Sequence, residues 1–237
     1  MVFRLIYELK LSNGGVKMNK EAENRREFLR RAALAAAAFP FLLNCKSDTL
    51  AQKSEADVLS LIKKNARPAS AEGMGAIDAP VNAGARAVLS TDADRGEKMM
   101  ISGTVFQPDG KTPAPNTLIY LYHTDIEGYY GRRGGEHKHG RYRGWLLTDQ
   151  QGKFEFTTIK PAPYPENRFA AHIHMTVTTL NMKEDWIDSI LFEDDKLISR
   201  QERETAGRKG GFNPIVKLEK NANGIWHAAR DIQLWKA

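Results

Sequence analysis

Short runs of alternating apolar and polar residues follow one another through the second half of the chain, and turn-forming residues separate them. Alternation with a period of two is typical of strands that bury one face. Turn signals lie at residues 108–110, 149–152 and 223–224. Many short strands between turns predict an all-β sandwich or barrel. The predicted strands lie in "KMMISGTVF", "TLIYLYH", "GWLL", "KFEFTTI", "AAHIHMTVTTL", "DSILFED", "NPIVKLEK" and "GIWHAARDIQLW".

Helical patterns are few and short. One helix is predicted near "KLISRQERETAG" and another in "LAQKSEADVLSLIKKNA". Residues 46–97 otherwise contain few large apolar side chains and show no period, which predicts an irregular linker. The sandwich domain is therefore expected at residues 98–237.

Residues 24–45, "NRREFLRRAALAAAAFPFLLNC", resemble a twin-arginine export signal. The pair Arg25 and Arg26 precedes an apolar stretch at 32–43, which is too short to cross a bilayer core of ~30 Å. We therefore interpret residues 1–45 as the signal of an exported bacterial protein, either periplasmic or membrane-anchored. The alternative is a short amphipathic helix rich in alanine and arginine.

Cys45 is the only cysteine, so no disulfide can form within the chain. Its place directly after the apolar stretch resembles a lipoprotein cleavage site, which would make Cys45 a lipid anchor. Asn44 departs from the small residue usual before such a cysteine. An incidental cysteine is the alternative.

The formal charge of +6 belongs mainly to the front of the chain. Residues 1–45 hold eight Lys or Arg against four Asp or Glu, and subtracting these from the totals of 35 and 29 leaves 27 against 25. The remaining residues carry almost no net charge. No nucleic-acid partner is therefore expected.

His172 and His174, in "FAAHIHMTV", stand two residues apart in a strand-like run. Side chains at i and i+2 share one face of a strand, with Cβ atoms roughly 7 Å apart. One metal ion can bridge that gap, although an isolated pair of this kind is as easily two ordinary histidines. A cupin would add a glutamate about four residues later, where this chain has Thr178 and Thr179.

Tyrosines in two nearby loops could complete a metal site. Tyr129 and Tyr130 lie in the glycine-rich "IEGYYGRRGG", and Tyr164 lies between prolines in "KPAPYPENRF". Each could equally be an aromatic lid on the sandwich edge. Two phenolates with two imidazoles would suit ferric iron, whose charge lowers a tyrosine pKa below its usual value near 10, whereas zinc sites recruit Cys, His or carboxylate.

Three further histidines have simpler interpretations. His137 and His139, in "GEHKHGRY", form a second pair two residues apart, and we expect both to be solvated, with a pocket-rim role as the alternative. His123, at the end of "TLIYLYH", is expected in the core or behind the metal ligands.

The order of motifs between residues 98 and 234 resembles the intradiol ring-cleavage dioxygenases. The resemblance rests on "GTVFQPDGKTPAPNTLIYLYHTD", "GYY", "RGWLLTDQQGKFEFTTIKPAPYP", "AHIHM", "LFEDD" and "ARDIQL". It implies a β-sandwich with few short helices and an Fe(3+) cofactor. It also implies an oxidoreductase of aromatic compound breakdown, which uses O2 to open a catechol between its hydroxylated carbons and yields a muconate-type diacid.

The same resemblance assigns residue roles. It makes Tyr130, Tyr164, His172 and His174 the metal ligands, and it selects Tyr130 over Tyr129. Tyr164 is also expected to be catalytic, as the ligand that leaves the metal and takes a substrate proton.

Arg168 is a second catalytic candidate, because the larger enzymes of this family place a substrate-holding arginine three residues before the first ligand histidine. Phe169 occupies that place here, and Arg168 stands one residue earlier. The competing hypothesis is an exported β-sandwich binding module that retains the fold without activity.

The export hypothesis has a direct test. Replacing Arg25 and Arg26 by lysine should leave the precursor in the cytoplasm, because the twin-arginine route recognises that pair. The matched control replaces Arg30 and Arg31 by lysine, which should not alter export. Unchanged export of the first variant would refute the signal, and an unaltered membrane fraction of Cys45→Ala would refute the anchor.

Overall fold

Two β-sheets carry the alternating runs found in the sequence. The computed structural model describes residues 54–68, 73–131, 138–166 and 168–236. The strands are β1 (Arg86–Val88), β2 (Lys98–Phe106), β3 (Leu118–His123), β4 (Arg143–Leu147), β5 (Lys153–Ile159), β6 (His172–Thr178), β7 (Asp185–Phe192), β8 (Ile215–Val216), β9 (Glu219–Lys220), β10 (Trp226–Ala229) and β11 (Ile232–Gln233). The predicted all-β class is confirmed.

Helices are short, as expected. They are α1 (Glu55–Ile62), α2 (Arg200–Thr205) and the 3-10 turns Lys63–Asn65 and Ala76–Asp78. Within the described ranges, no helix is long and apolar enough to span a membrane.

The strand order places β6 inside the second sheet. The first sheet runs β1-β5-β2-β10-β9, with β11 also pairing with β2, and the second runs β4-β3-β6-β7-β8. The longest pairs, such as β2 with β5 and β3 with β6, are antiparallel, and the parallel pairs are shorter. β6 therefore has hydrogen-bonded neighbours on both sides, which makes it a rigid support for side chains.

The core lies between the two sheets. Ile101 and Phe156 of the first sheet are fully buried in one apolar cluster with Ile173 and Met175 of β6. Burying a side chain of this size contributes about 1.5–3 kcal/mol. Because alternate residues of a strand face opposite ways, the core positions in β6 leave His172 and His174 together on the outer face of the second sheet. Their predicted common face is confirmed.

The segment that precedes β2 is ordered, and the predicted linker over residues 46–97 is wrong for its described part. Helix α1 begins with a capping box in which Ser54 Oγ accepts a hydrogen bond from the backbone N–H of Asp57 (3.2 Å). Leu59 and Ile62 of α1 are buried in a cluster with Leu118 of the second sheet. A few apolar residues without a period are enough to hold this segment in place, because it needs only to cover one face of the second sheet.

Glu184 ties this segment to the second sheet. Its fully buried carboxylate accepts hydrogen bonds from the backbone N–H groups of Gly75 (2.8 Å) and Ala76 (3.0 Å), and from the hydroxyl of Thr176 (2.9 Å). β1 adds a parallel pairing with β5. The domain boundary expected at residue 98 is therefore too late. The predicted export signal and Cys45 lie outside the described residues, and both stay predictions.

His123 joins the two sheets at the end of β3. Its Nδ1 donates to the Thr124 carbonyl (2.7 Å), and its Nε2 lies 2.7 Å from the hydroxyl of Thr158 on β5. The residue is fully buried, as the sequence predicted. Burial lowers the pKa of His123 to about 4.

This depressed pKa predicts a loss of stability in mild acid. The unfolded chain binds the His123 proton near pH 6.5 and the folded chain only near pH 4, so the free energy of unfolding falls as the pH drops between these values. The His123 contribution should be about 2 kcal/mol smaller at pH 5 than at pH 8. Urea unfolding of the metal-free protein at both pH values measures it.

The comparison needs two variants. His123→Gln should lose about 2 kcal/mol less than the parent between pH 8 and pH 5. The control is His227→Gln, since His227 is bonded to Asn221 in an exposed pair, and it should keep the parental dependence. Equal pH dependence of the parent and His123→Gln would contradict the prediction.

Candidate metal centre

Four side chains meet on the outer face of the second sheet. Tyr130 comes from the loop after β3, Tyr164 from the loop after β5, and His172 and His174 from β6. The two Nε2 atoms lie 3.0 Å apart, Tyr164 Oη lies 3.3 Å from each of them, and the hydroxyls of Tyr130 and Tyr164 are hydrogen-bonded. The structure thus brings together all four residues predicted to bind a metal. That they do bind one stays a prediction.

The spacing suits one ion. Metal–nitrogen and metal–oxygen bonds of about 2 Å place two ligands of the same ion about 2.8–3.3 Å apart, which matches the distances between these atoms. Among the described residues, no group of three His, Cys, Asp or Glu side chains could hold a metal.

Both imidazoles are prepared as neutral ligands. His172 Nδ1 donates to the carbonyl of Ala170 (2.6 Å), which leaves the Nε2 lone pair directed at the cluster. His174 Nδ1 faces the Ser189 hydroxyl at 3.4 Å. Burial lowers the pKa of His172, and it lowers the pKa of His174 to about 3. Because a metal needs the unprotonated ring, no proton competes with it near neutral pH.

The half-buried phenol of Tyr130 would be stabilised as a phenolate by a bound cation. Burial, reinforced by the hydrogen bond to Tyr164, raises the pKa of Tyr130 above its ordinary value. Without a cation the phenol keeps its proton, and a bound cation reverses this preference. Tyr129 is 46% exposed, so the structure places Tyr130, and not its neighbour, in the cluster.

The loops that carry Tyr130 and Tyr164 contact each other through their backbones. Gly128 has a φ of +83°, and a Cβ there would lie 2.1 Å from the carbonyl oxygen of Pro163. The Asp125 carboxylate accepts from the backbone N–H of Tyr129 (3.0 Å), while its carbonyl accepts from the N–H of Ala162 (3.1 Å). Only a glycine permits this close approach. The separation of the two tyrosines is therefore set by backbone contacts.

An aromatic stack supports His174 from the side of β3. Tyr122 lies opposite His174 in the β3–β6 pairing, and their rings stack with centroids 4.7 Å apart. The ring of His139 stacks on the other side of Tyr122 at 3.9 Å, and His139 Nδ1 lies 2.6 Å from the hydroxyl of Tyr120. The stack limits the tilt of the His174 ring.

The prediction that His139 is solvated is wrong, because this side chain is only 5% exposed. The alternation in "TLIYLYH" puts Tyr120 and Tyr122 on the outer face, and together they offer His139 a ring and a hydroxyl. That alternation places the two tyrosines on the outer face, but no local pattern indicates that His139 packs against them. His137 lies outside the described residues.

A cavity of about 260 Å³ opens beside the two histidines. Its apolar walls include Phe169, Leu191 and Pro214. The Phe169 ring meets the Tyr164 ring edge-on at 6.3 Å. Arg168 is exposed and is not among the described residues that line the cavity, so its predicted contact with substrate stays a prediction.

Two polar residues of β7 reach this cavity together because the strand register shifts. Ile173 pairs with Ile190 and Met175 with Ile187, so Asp188 and Ser189 stand opposite the single residue His174. An extra residue of this kind redirects side chains and is frequent beside active sites. Asp188 and Ser189 both line the cavity as a result. No local pattern in the sequence indicates this shift.

The family model described as "Dioxygenase" matches residues 75–210, more than half of the 237 residues. Catechol 1,2-dioxygenase of Acinetobacter baylyi is 30% identical over 118 residues, which are 48% of this chain and 38% of the relative. This chain is a member of the intradiol dioxygenase family.

Other members show the same partial overlap. The protocatechuate 3,4-dioxygenase beta chain of Burkholderia cepacia is 29% identical over 100 residues, 40% of this chain and 41% of the relative. The chain spans less than half the length of these two relatives.

Solved structures of other proteins support the fold of this family member. The dioxygenase domain of a dioxygenase carbohydrate-binding fusion from Streptomyces sp. SirexAA-E gives a TM-score of 0.51 at 23% identity, covering 72% of this chain and 98% of that one. Catechol 1,2-dioxygenase from Pseudomonas arvilla C-1 gives 0.52 at 19%, covering 65% and 57%.

The contact between the tyrosine loops predicts how this family member responds to a methyl group at Gly128. Gly128→Ala should displace Pro163 and separate the tyrosines, which should weaken ferric ion uptake by roughly tenfold or more. Uptake is measured by elemental analysis after titration with a ferric salt, alongside the free energy of unfolding.

Gly224→Ala is the matched control. Gly224 has a similar φ of +77°, but a Cβ there would meet nothing within 4 Å. Both variants should lose about 1–2 kcal/mol of stability from the left-handed backbone, and only Gly128→Ala should lose metal. Equal metal uptake by both variants would show that the loop contact does not position the tyrosines.

Proposed function

We propose that this protein is a non-haem Fe(III) intradiol dioxygenase. It binds a catechol-type aromatic and inserts both atoms of O2 between the two hydroxylated carbons, and the product is a muconate-type diacid. The observation that carries the proposal is the meeting of Tyr130, Tyr164, His172 and His174 beside a cavity.

Ferric iron fits this donor set better than zinc does. Two phenolates are hard anionic donors, and a trivalent cation offsets both charges in a buried site. Zinc sites recruit Cys, His or carboxylate, and the described residues offer no such group of three. Bound by the four residues, ferric iron would withdraw electron density from a chelated catechol and make its ring reactive towards O2.

The protein contributes a base, fixed positions for the two histidines and an apolar cavity wall. Tyr164 as a phenolate can take one proton from the catechol, because its Oη lies at the centre of the cluster, 3.3 Å from both imidazole nitrogens. His172 and His174 stay in place, held by Ala170 and by the aromatic stack. Phe169 and Leu191 give the cavity an apolar wall on which the aromatic ring can pack. Both oxygen atoms end in the product, so no external reductant is needed.

The names of the relatives support the reaction class but do not identify one substrate. These proteins carry the names catechol, chlorocatechol and protocatechuate dioxygenase. Arg168 is retained as a proposed substrate-contacting residue. We also propose that the protein is exported, periplasmic or lipid-anchored through Cys45, on the strength of the motif at residues 24–45.

The direct test is ring opening by iron-loaded protein. Protein loaded with ferric iron should show a broad visible band from tyrosinate-to-iron charge transfer. It should also consume O2 with at least one member of a catechol series and release a diacid, identified by mass spectrometry. Colourless protein that takes up no iron would favour the binding-module alternative, and a semialdehyde product would refute the intradiol reaction.

Two tyrosine variants in the same assay assign the base. Tyr164→Phe should retain measurable iron and slow substrate deprotonation by about 100-fold or more, the usual contribution of a general base. Tyr129→Phe is the control, because Tyr129 is exposed next to Tyr130, and it should behave like the parent. His172→Ala and His174→Ala should lose most iron. Parental turnover by Tyr164→Phe would refute its role.

A further inference from the structure

Two carboxylates lie on the wall of the cavity beside the ligand histidines. Asp188 reaches it because of the register shift opposite His174, and Glu202 reaches it from α2. Neither residue belongs to the donor cluster, and the proposed reaction gives neither a role. Their position faces the space that a ring substituent would occupy.

Backbone donors hold both carboxylates. The Lys209 N–H donates to Asp188 Oδ2 (3.1 Å), and the Asp188 N–H donates to the Lys209 carbonyl (2.9 Å). Glu202 Oε2 accepts from the backbone N–H and the hydroxyl of Ser199, both at 2.7 Å. Charge-assisted hydrogen bonds of this kind restrict the position of a carboxylate. The two negative charges are therefore fixed on the wall.

The described part of the cavity wall offers no cation to a ligand, since Arg168 next to Phe169 is exposed and does not line the cavity. Among the described residues that line it, there is no lysine or arginine. Lys209 Nζ pairs with Asp185 at 2.9 Å, and Arg200 pairs with Glu204 at 2.6 Å. Arg230 attracts Asp188 electrostatically, but it is fully buried and donates to the carbonyls of Gly211 and Asp231. The wall thus shows negative charge to an entering ligand.

We propose that Asp188 and Glu202 make this cavity select catechols by charge, so that it accepts neutral or cationic ring substituents and rejects carboxylated ones. The inference rests on the proposed function for the identity of the ligand. Its physical basis is Coulomb repulsion, which is stronger in a partly desolvated cavity than in water. A carboxylate on the substrate would meet two fixed negative charges without a partner.

The test compares three catechols with a two-carbon chain on the ring, which carries a cation in the first, no charge in the second and an anion in the third. They are 4-(2-aminoethyl)catechol, 4-ethylcatechol and 3-(3,4-dihydroxyphenyl)propanoate. Dissociation constants for the iron-loaded full chain are measured without O2 by calorimetry at low salt. We expect affinity to fall in that order, with the cation binding about tenfold or more tightly than the anion. The difference in affinity between the three catechols should decrease as salt is added.

Charge-removing variants locate the effect. Asp188→Asn and Glu202→Gln each keep an oxygen for the backbone donors, and each should reduce the cation-to-anion affinity ratio about threefold or more. Asp92→Asn is the control, because it removes one negative charge at an exposed position outside the cavity wall, and it should leave the ratio unchanged. Iron content is measured for every variant.

The outcomes separate this inference from the proposed function. Ring opening with equal affinity for all three catechols, or an unchanged ratio in both cavity variants, would overturn the charge selection alone. The predicted affinity order without ring opening would support charge selection and overturn the dioxygenase activity. Failure to bind any catechol would overturn both.

Discussion

The site depends on the strict alternation of β6. Ile173 and Met175 are fully buried between the sheets, and this burial forces His172 and His174 onto the opposite face. A slip of one residue would put two imidazoles into the apolar core and two apolar side chains into the cluster. The hydrophobic core therefore fixes which face of the sheet can bind a metal, and the loops only complete the ligand set.

Local period and residue chemistry were enough to predict the strands and the shared face of His172 and His174, which are half of the four clustered side chains. Alternation located the strands, and the spacing of His172 and His174 placed them on one face. Tyr130 could be separated from Tyr129 only through the family resemblance, because both lie in one glycine-rich loop. The structure separates them by burial, since one hydroxyl reaches the cluster and the other side chain is 46% exposed.

The misses have a common physical cause, which is contact between residues distant in the chain. The buried position of His139 depends on Tyr120 and Tyr122, and the packing of Gly75 and Ala76 on the second sheet depends on Glu184. The cavity position of Asp188 depends on the pairing of two strands. None of these partners can be identified from a short window, because a charged or polar residue looks solvated until its buried partner is known.

The bond between Glu184 and Gly75 spans 109 residues of chain. The segment that covers the outer sheet face is thus synthesised before every strand it rests on, and its anchoring carboxylate arrives only at the start of β7. Contacts this distant carry a high cost in loop-closure entropy and slow folding. Until this contact forms, the apolar residues around Leu118 that the segment covers are open to water and to other chains.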